Sequence, residues 1–105
     1  MCSAITMLSE NFYFGRNLDW EHSFGEKIIA TPREYPLKYR NGRMILSHYS
    51  VMGMGIECDG YPLYFDGFNE KGLAMAGLNF PEAVYFKNEE EKENIASFEF
   101  ILRIL

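Results

Sequence analysis

The first two residues, Met1 and Cys2, carry the most distinctive chemistry in this chain. Removal of the initiator methionine would leave Cys2 with a thiol and a free α-amine on the same residue. An unperturbed α-amine titrates at ~7.7–8 and an unperturbed thiol at ~8.5, so modest local fields bring both into a working range. A terminal residue whose own amine activates its side chain is one form of nucleophilic catalysis. The dipeptide alone is weak evidence, because a cysteine at position 2 is usually an ordinary small residue, such as a buried one at the start of a strand.

Two short apolar runs are expected to bring further polar side chains back to this terminus. Residues 2–8 and 12–17 are predicted to be strands, and the polar triplet between them is typical of a turn. Because a hairpin folds the chain back on itself, Arg16 and Asp19 are expected beside Cys2. A charged pair there could act on the thiol and the amine.

The rest of the chain is predicted to be mainly strand until about residue 94. One predicted strand covers 26–31 and ends at Pro32, and another covers 43–54 after an Asn41-Gly42 turn. Segments 64–68 and 73–78 are predicted to pair as a hairpin. Gly53 and Gly55 indicate a bulge or a close backbone contact. The small residues Ala74, Ala76 and Gly77 indicate that another element packs closely on the last strand.

Helical spacing is found near the C-terminal end of the chain. Five apolar side chains fall on one helical face: Ile95, Phe98, Ile101, Leu102 and Leu105. We expect the helix to begin near Asn94, with Ser97 as a cap and Glu99 favourable in the first turn. Mainly antiparallel strands with an appended helix predict the α+β class.

Three motifs in this order resemble one enzyme family. They are Met1-Cys2 at the front, segment 14–20 (FGRNLDW) and segment 66–81 (DGFNEKGLAMAGLNFP). With them, the chain resembles the start of the choloylglycine hydrolase family of N-terminal-nucleophile amidohydrolases, which includes conjugated bile acid hydrolases and penicillin V acylases. The resemblance implies a four-layer αββα sandwich, of which residues 1–105 are expected to be the N-terminal portion of a single domain. It implies a small-molecule amide substrate, no cofactor and no metal.

The resemblance also implies roles for Cys2, Arg16, Asp19 and Asn79. Cys2 would attack an amide carbonyl as a thiolate, with its own α-amine moving the proton. Arg16 would favour the thiolate or engage a substrate oxygen, and Asp19 would orient the amine. Asn79 would donate to a tetrahedral oxyanion, and losing such a donor costs ~2.7–4 kcal/mol of barrier. The ordinary alternatives are a surface arginine, a turn aspartate and a turn asparagine.

The resemblance also places Leu18, Phe24 and Cys58 at or near the expected substrate pocket. Leu18 and Phe24 match family positions that line an apolar pocket for a steroid nucleus, although either could be ordinary core. Cys58 falls near the same wall and is expected to be a buried thiol, with no bridge to Cys2 because a nucleophile must be reduced. The two histidines, at positions 22 and 48, lack paired spacing with cysteines or acids, so no metal site is expected.

The expected function is hydrolysis of the amide that joins a bile acid to glycine or taurine. Asparagine at position 79 resembles the bile acid hydrolases, whereas penicillin V acylases tend toward tyrosine there. Three alternatives stay open. The substrate could be penicillin V or another linear amide, the chain could be a non-catalytic fragment that self-associates, or it could be a redox thiol protein, which the lack of a Cys-x-x-Cys pair disfavours.

The C-terminal end departs from the family pattern. Residues 102–105 differ from what the resemblance implies, in the middle of an expected helix, and family members are much longer chains. We therefore expect a truncated or partial chain. A second asparagine and a second arginine of the family's active site would lie beyond it, so little or no activity is expected of these 105 residues alone.

Composition limits the remaining function classes. Hydrophobic residues make up 48% of the chain and aromatic residues 16%, which is unlike a disordered composition and favours a covering partner, a missing remainder or a homo-oligomer. The net charge is −5, with an acidic run at 89–93 expected to be solvated, which argues against nucleic acid. No leader typical of secretion precedes Cys2 and no apolar run approaches ~18 residues, so we expect a cytoplasmic protein without a membrane span.

Overall fold

Antiparallel strand pairs make up most of the computed structural model, which describes residues 1–80, 82 and 96–105. In chain order the strands are β1 (Ser3–Leu8), β2 (Phe12–Asn17), β3 (Lys27–Thr31), β4 (Leu37–Lys38), β5 (Met44–Ile45), β6 (Val51–Cys58), β7 (Tyr61–Tyr64), β8 (Asp66–Asn69) and β9 (Ala74–Ala76). A 3-10 turn at Ser97–Glu99 leads directly into helix α1 (Phe100–Ile104). No helix in the described residues is long and apolar enough to cross a bilayer.

The N-terminal hairpin confirms the pairing predicted from the sequence. Strands β1 and β2 are antiparallel, with Ser3 opposite Asn17 and Ala4 opposite Arg16. This register brings Arg16 to within two residues of Cys2 along the ladder. Every residue of β1 is exposed, so the hairpin contributes little to the core.

The main sheet is built around β6. Its order is β3-β6-β8-β9, and β7 also pairs with β6, so β7 and β8 lie along different parts of the same strand. The backbones come very close where β8 begins. An added Cβ at Gly53 would lie 2.1 Å from the Asp66 carbonyl oxygen, and one at Gly55 would lie 2.3 Å from that of Leu63. The close backbone contact predicted at these two glycines is therefore confirmed.

The predicted strand over 43–54 is wrong in its middle. Strand β5 ends at Ile45 and β6 begins only at Val51. The intervening backbone donors bond outside any ladder, because the Ser50 N–H donates to Glu70 Oε1 (3.0 Å) and the His48 N–H donates to the Arg33 carbonyl oxygen (3.3 Å). The Asn41-Gly42 turn is present, with Gly42 at φ 85°.

The C-terminal helix closes the core. Its buried side chains Ile101 and Leu102, with Leu105 directly after the helix, pack with Leu37, Val51 and Tyr64. Phe98, predicted for the same face, is 41% exposed and packs edge-on against Tyr61. The helix also contacts β9, as the small residues there predicted. The earliest predicted helical residues, at 94–95, and the acidic run at 89–93 lie outside the described residues.

The predicted cap is wrong. Ser97 makes no side-chain capping bond and lies inside the 3-10 turn, while the residue before α1 is Glu99. The Glu99 carboxylate is almost fully buried, accepts a hydrogen bond from the Arg40 N–H and pairs with Arg103 at 3.6 Å. A buried carboxylate of this kind needs partners, and these contacts tie the helix to the segment after β4.

The close approach at Gly53 predicts a large loss of stability on adding one methyl group. Gly53→Ala should lower the free energy of unfolding by about 1–3 kcal/mol or more, because the clash is with backbone that cannot move aside. Gly15→Ala is the matched control, since its Cβ would meet only Ile5 Cγ2 at 3.6 Å, an ordinary contact. Urea unfolding of both variants measures the difference, and equal midpoints would contradict the packing described.

Candidate functional site

A cleft of about 400 Å³ collects most of the side chains selected from the sequence. Cys2, Arg16, Leu18, Phe24 and Asn79 all line it. Its remaining lining comes from the segments after β2 and β9, from β7 and the residue after it, and from the helical end: Trp20, Leu63, Tyr64, Phe65, Gly77, Leu78, Ser97, Phe98 and Ile101. Cys2 and Asn79 therefore line the same cleft, although all strands of the main sheet lie between them in the sequence.

Asp19 lies beside the cleft and bonds the N-terminal amine. Its Oδ2 accepts a hydrogen bond from the Met1 ammonium, and both partners are exposed. The Cys2 Sγ lies 4.0 Å from the Asp19 carbonyl oxygen, at the outer limit for a sulfur donor. The carboxylate therefore binds the ammonium of the unprocessed chain, one residue before the amine that the predicted mechanism requires.

Arg16 is the most tightly held of these side chains. Only 5% of the side chain is exposed, and its Nη2 donates to the carbonyl oxygens of Gly77 at 2.5 Å and Phe65 at 3.4 Å. Its Nε lies 3.3 Å from Asp66 Oδ2. The guanidinium therefore joins the hairpin to the main sheet at the base of the cleft.

Asp66 is a site residue that the sequence reasoning missed. It opens the third motif, segment 66–81, and starts β8, yet nothing in its spacing indicates that its carboxylate meets an arginine on β2. The contact spans 50 positions and forms only when the hairpin is placed against the main sheet. Its Oδ1 accepts a hydrogen bond from the Met54 N–H at 3.0 Å, which fixes the carboxylate on β6.

The cleft has an aromatic wall. Phe24 stacks with Trp20 at a centroid distance of 5.6 Å and with Phe65 at 5.7 Å, in tilted geometry. Trp20 and Phe24 are each about half exposed, so these rings present apolar surface to the cleft instead of filling a core. Leu18 is half-buried in the same wall. Phe24 is therefore not an ordinary core residue.

Tyr64 lines the cleft with a buried phenol. Burial raises the pKa of Tyr64, although the hydrogen bond with Thr31 Oγ1 at 2.8 Å acts in the opposite direction. The phenol therefore stays protonated at neutral pH and cannot serve as a base there. Its hydroxyl instead donates to the Val51 carbonyl oxygen at 3.2 Å, which is a structural contact.

The prediction that Cys58 is a buried thiol is wrong. Cys58 is exposed, does not line the cleft and, like Cys2, is a free cysteine. It ends β6 directly before the turn at Asp59 and Gly60, whose φ values are 51° and 79°. An Asp-Gly pair between apolar strands is a strong hairpin signal, and it indicates a position at a turn, open to solvent.

Histidine does not form part of a metal site in the described residues. No group of three or more His, Cys, Asp or Glu side chains is found there with ligating geometry. Both ring nitrogens of His48 lie against backbone carbonyl oxygens, those of Tyr49 at 2.7 Å and Tyr35 at 2.9 Å. His48 therefore fastens the segment between β5 and β6.

Comparisons with known proteins extend along the whole chain. Residues 2–105 match the family model described as linear amide C–N hydrolases, choloylglycine hydrolase family. The chain is 49% identical over 102 residues to the bile salt hydrolase/transferase of Lactiplantibacillus plantarum, covering 96% of this chain and 32% of that protein. It is 47% identical over 106 residues to the conjugated bile acid hydrolase of Lactobacillus gasseri, covering 97% of this chain and 34% of that protein.

A solved structure gives the same result for the fold. A mutant conjugated bile acid hydrolase from Clostridium perfringens matches with a TM-score of 0.87 at 39% identity, covering 100% of this chain and 33% of that one. This likeness confirms the predicted α+β class and the N-terminal-nucleophile hydrolase sandwich. The chain spans about a third of the length of the curated relatives it matches.

Proposed function

Because the chain belongs to the choloylglycine hydrolase family of linear amide C–N hydrolases, we propose that it takes part in hydrolysing the amide bond of glycine- or taurine-conjugated bile acids. We propose further that residues 1–105 are the N-terminal portion of the enzyme's single domain. The observation that carries the proposal is the cleft in which Cys2, Arg16 and Asn79 lie together beside an aromatic wall. The names of the relatives, which are bile salt and conjugated bile acid hydrolases, support the substrate class.

The first chemical step is acyl transfer to Cys2. After Met1 is removed, the α-amine of Cys2 accepts the thiol proton, and the sulfur attacks the amide carbonyl carbon. The tetrahedral intermediate collapses to a thioester as the C–N bond breaks, and the same amine returns the proton to the departing glycine or taurine nitrogen. Water then attacks the thioester, which frees the bile acid and regenerates the thiol.

The surrounding polar residues take separate roles. Asp19, which bonds the Met1 ammonium in the unprocessed chain, would hold the Cys2 ammonium that forms as the thiol loses its proton. Asn79 supplies a side-chain N–H to the oxyanion, where a single donor is worth about 2.7–4 kcal/mol of barrier. Arg16 keeps a positive charge at the base of the cleft, which favours the thiolate.

The apolar side of the cleft suits the steroid part of the substrate. Trp20, Phe24 and Leu18 present ring and alkyl surface beside the nucleophile, and burying such surface is worth roughly 25 cal/mol per Å². A few polar groups set against a largely apolar wall are the usual composition of a small-molecule site.

We propose that the exposed apolar surface outside the cleft is covered in the working enzyme. Ile5 and Leu8 of β1 are 71% and 81% exposed, and Ile28 of β3 is 71% exposed. In the relatives, about two thirds of the length lies outside the match, which favours a cover from the same chain. In the isolated 105-residue chain the same surface favours a homo-oligomer. A cytoplasmic location follows from the reduced thiol that the chemistry requires.

The N-terminal residue provides a first test. Mass spectrometry of the purified chain should find Met1 removed and Cys2 labelled stoichiometrically by an electrophile that mimics the amide, because the proposed nucleophile needs its own amine. Labelling of Cys58 in the same sample serves as the internal control for an ordinary exposed thiol. An intact Met1 in the purified chain would rule out the mechanism for this material.

Substitution of the nucleophile provides a second test. We expect Cys2→Ser to abolish hydrolysis of a conjugated bile salt when residues 1–105 replace the matching segment of the Lactiplantibacillus plantarum relative, since an alcohol ionises far less readily than a thiol. Cys58→Ser is the matched control and should keep full turnover, because that side chain lies outside the cleft. Turnover by the Cys2→Ser chimera at the rate of its parent would refute the assignment.

Substitution of Asn79 tests the substrate. In the same chimera, Asn79→Tyr should shift preference from conjugated bile acids toward penicillin V, since tyrosine is typical of the acylases at this position. The ratio of kcat/KM for the two substrates is the measurement. An unchanged ratio would show that position 79 does not set the selectivity.

A further inference from the structure

We propose that Asp66 is a positioning residue, which holds the Arg16 guanidinium at the base of the cleft so that one of its terminal nitrogens stays free for the reacting groups. The inference deepens the proposed function, since it assumes that Arg16 acts on the Cys2 thiol or on the substrate. It rests on the distribution of hydrogen-bond donors around a buried guanidinium.

The donors of Arg16 are divided unequally. A guanidinium carries five N–H donors in a fixed planar fork. Nη2 donates to two backbone carbonyls, those of Gly77 and Phe65, while Nε faces Asp66 at 3.3 Å. Nε and Nη1 are both buried, and neither makes a hydrogen bond with the residues that the structure describes. Nε nevertheless lies at ion-pair distance from Asp66, whereas Nη1 has no such partner there. Because a buried donor without a partner is costly, the free nitrogen indicates a place for an oxygen or a thiolate of the reacting system.

Asp66 supplies the charge that makes this arrangement possible. Among the described residues it is the carboxylate paired with Arg16, and only 13% of its side chain is exposed. Two carbonyls alone would leave a full positive charge in a nearly dry site, which is unfavourable without an ionic partner. The carboxylate lies on the Nε side of the guanidinium at ion-pair distance, which leaves Nη1 unpaired among the described residues.

The carboxylate is itself immobile. Asp66 Oδ1 accepts a hydrogen bond from the Met54 N–H at 3.0 Å, and the Asp66 carbonyl oxygen lies so close to Gly53 that an added Cβ there would be 2.1 Å from it. Asp66 therefore offers Arg16 a fixed anchor on the main sheet. The pair formed by Arg33 and Glu70 differs, because Arg33 is 69% exposed and neither residue lines the cleft that contains Cys2.

The test uses the thiol as the readout and needs no hydrolysis. The Met1-processed 105-residue chain is treated with iodoacetamide across a pH series, and peptide mass spectrometry follows Cys2 separately from Cys58. We expect Asp66→Asn to slow alkylation of Cys2 at neutral pH by roughly threefold to tenfold and to move the pH of half-maximal rate upward. Asparagine keeps an acceptor for the Met54 N–H, so the unfolding midpoint should change little by comparison.

The same substitution in an Arg16→Leu background separates positioning from other effects. If Asp66 acts through Arg16, then Asp66→Asn should cause no further slowing once the arginine is gone. Glu70→Gln is the control for losing a carboxylate elsewhere and should leave the Cys2 profile unchanged. The proposal is overturned if Asp66→Asn speeds alkylation of Cys2, as loss of a nearby anion would, or has no effect on its rate. It is also overturned if Asp66→Asn slows alkylation equally in both backgrounds, or if Arg16→Leu alone does not slow it.

Two further comparisons keep the outcome decisive. Should Asp66→Asn not fold, Asp66→Glu displaces the same charge by one methylene and is measured in the same two backgrounds. Slowing of alkylation only in the background that keeps Arg16 supports the proposal. Slowing in both backgrounds or in neither refutes it. The hydrolysis chimera distinguishes the two hypotheses. A Cys2→Ser chimera that keeps turnover refutes the proposed function, whereas additive alkylation effects with an inactive Cys2→Ser chimera refute only the role of Asp66.

Discussion

One buried guanidinium holds the candidate site together. Arg16 belongs to the exposed N-terminal hairpin, yet its side chain is almost fully enclosed by groups of the main sheet. The two carbonyls come from the residue before β8 and the residue after β9, and the carboxylate comes from β8 itself. A single side chain therefore fixes the distance between the strand that follows the nucleophile and the segment that carries Asn79. A lysine could not do the same, because its ammonium lacks the fork that reaches several acceptors in one plane.

Burial of charge recurs at the C-terminal helix. Glu99 is 1% exposed and accepts the Arg40 N–H, while Arg103 pairs with it and lies 4.4 Å from the Tyr39 ring centroid. These contacts fasten a helix of only five residues, which has little intrinsic stability, to the β4 segment. Because Ile101 lines the cleft from the same helix, the ionic contacts at Glu99 also stabilise one wall of the candidate site.

Local features were predictable from the sequence and cross-sheet contacts were not. The N-terminal hairpin follows from two apolar runs and a polar turn, and its reversal was enough to place Arg16 and Asp19 near the N-terminus. The meeting of Arg16 with Asp66 was missed because strand periodicity gives the face of a side chain but not its partner on a distant strand. The exposure of Cys58 was missed although the Asp59-Gly60 pair indicates a turn. Ser97 was misplaced as a cap because a 3-10 turn, which the spacing does not reveal, precedes the helix.

The open hairpin has a consequence for how firmly the nucleophile is held. A two-stranded ribbon is at best marginally stable in water, and every side chain of β1 faces solvent. Cys2 precedes this ribbon, so the sulfur is carried by an exposed element that the Arg16 contacts join to the main sheet. How well the Cys2 sulfur is held therefore depends on the surface that covers the hairpin. Covering the hairpin would preorganise the sulfur without any change inside the cleft.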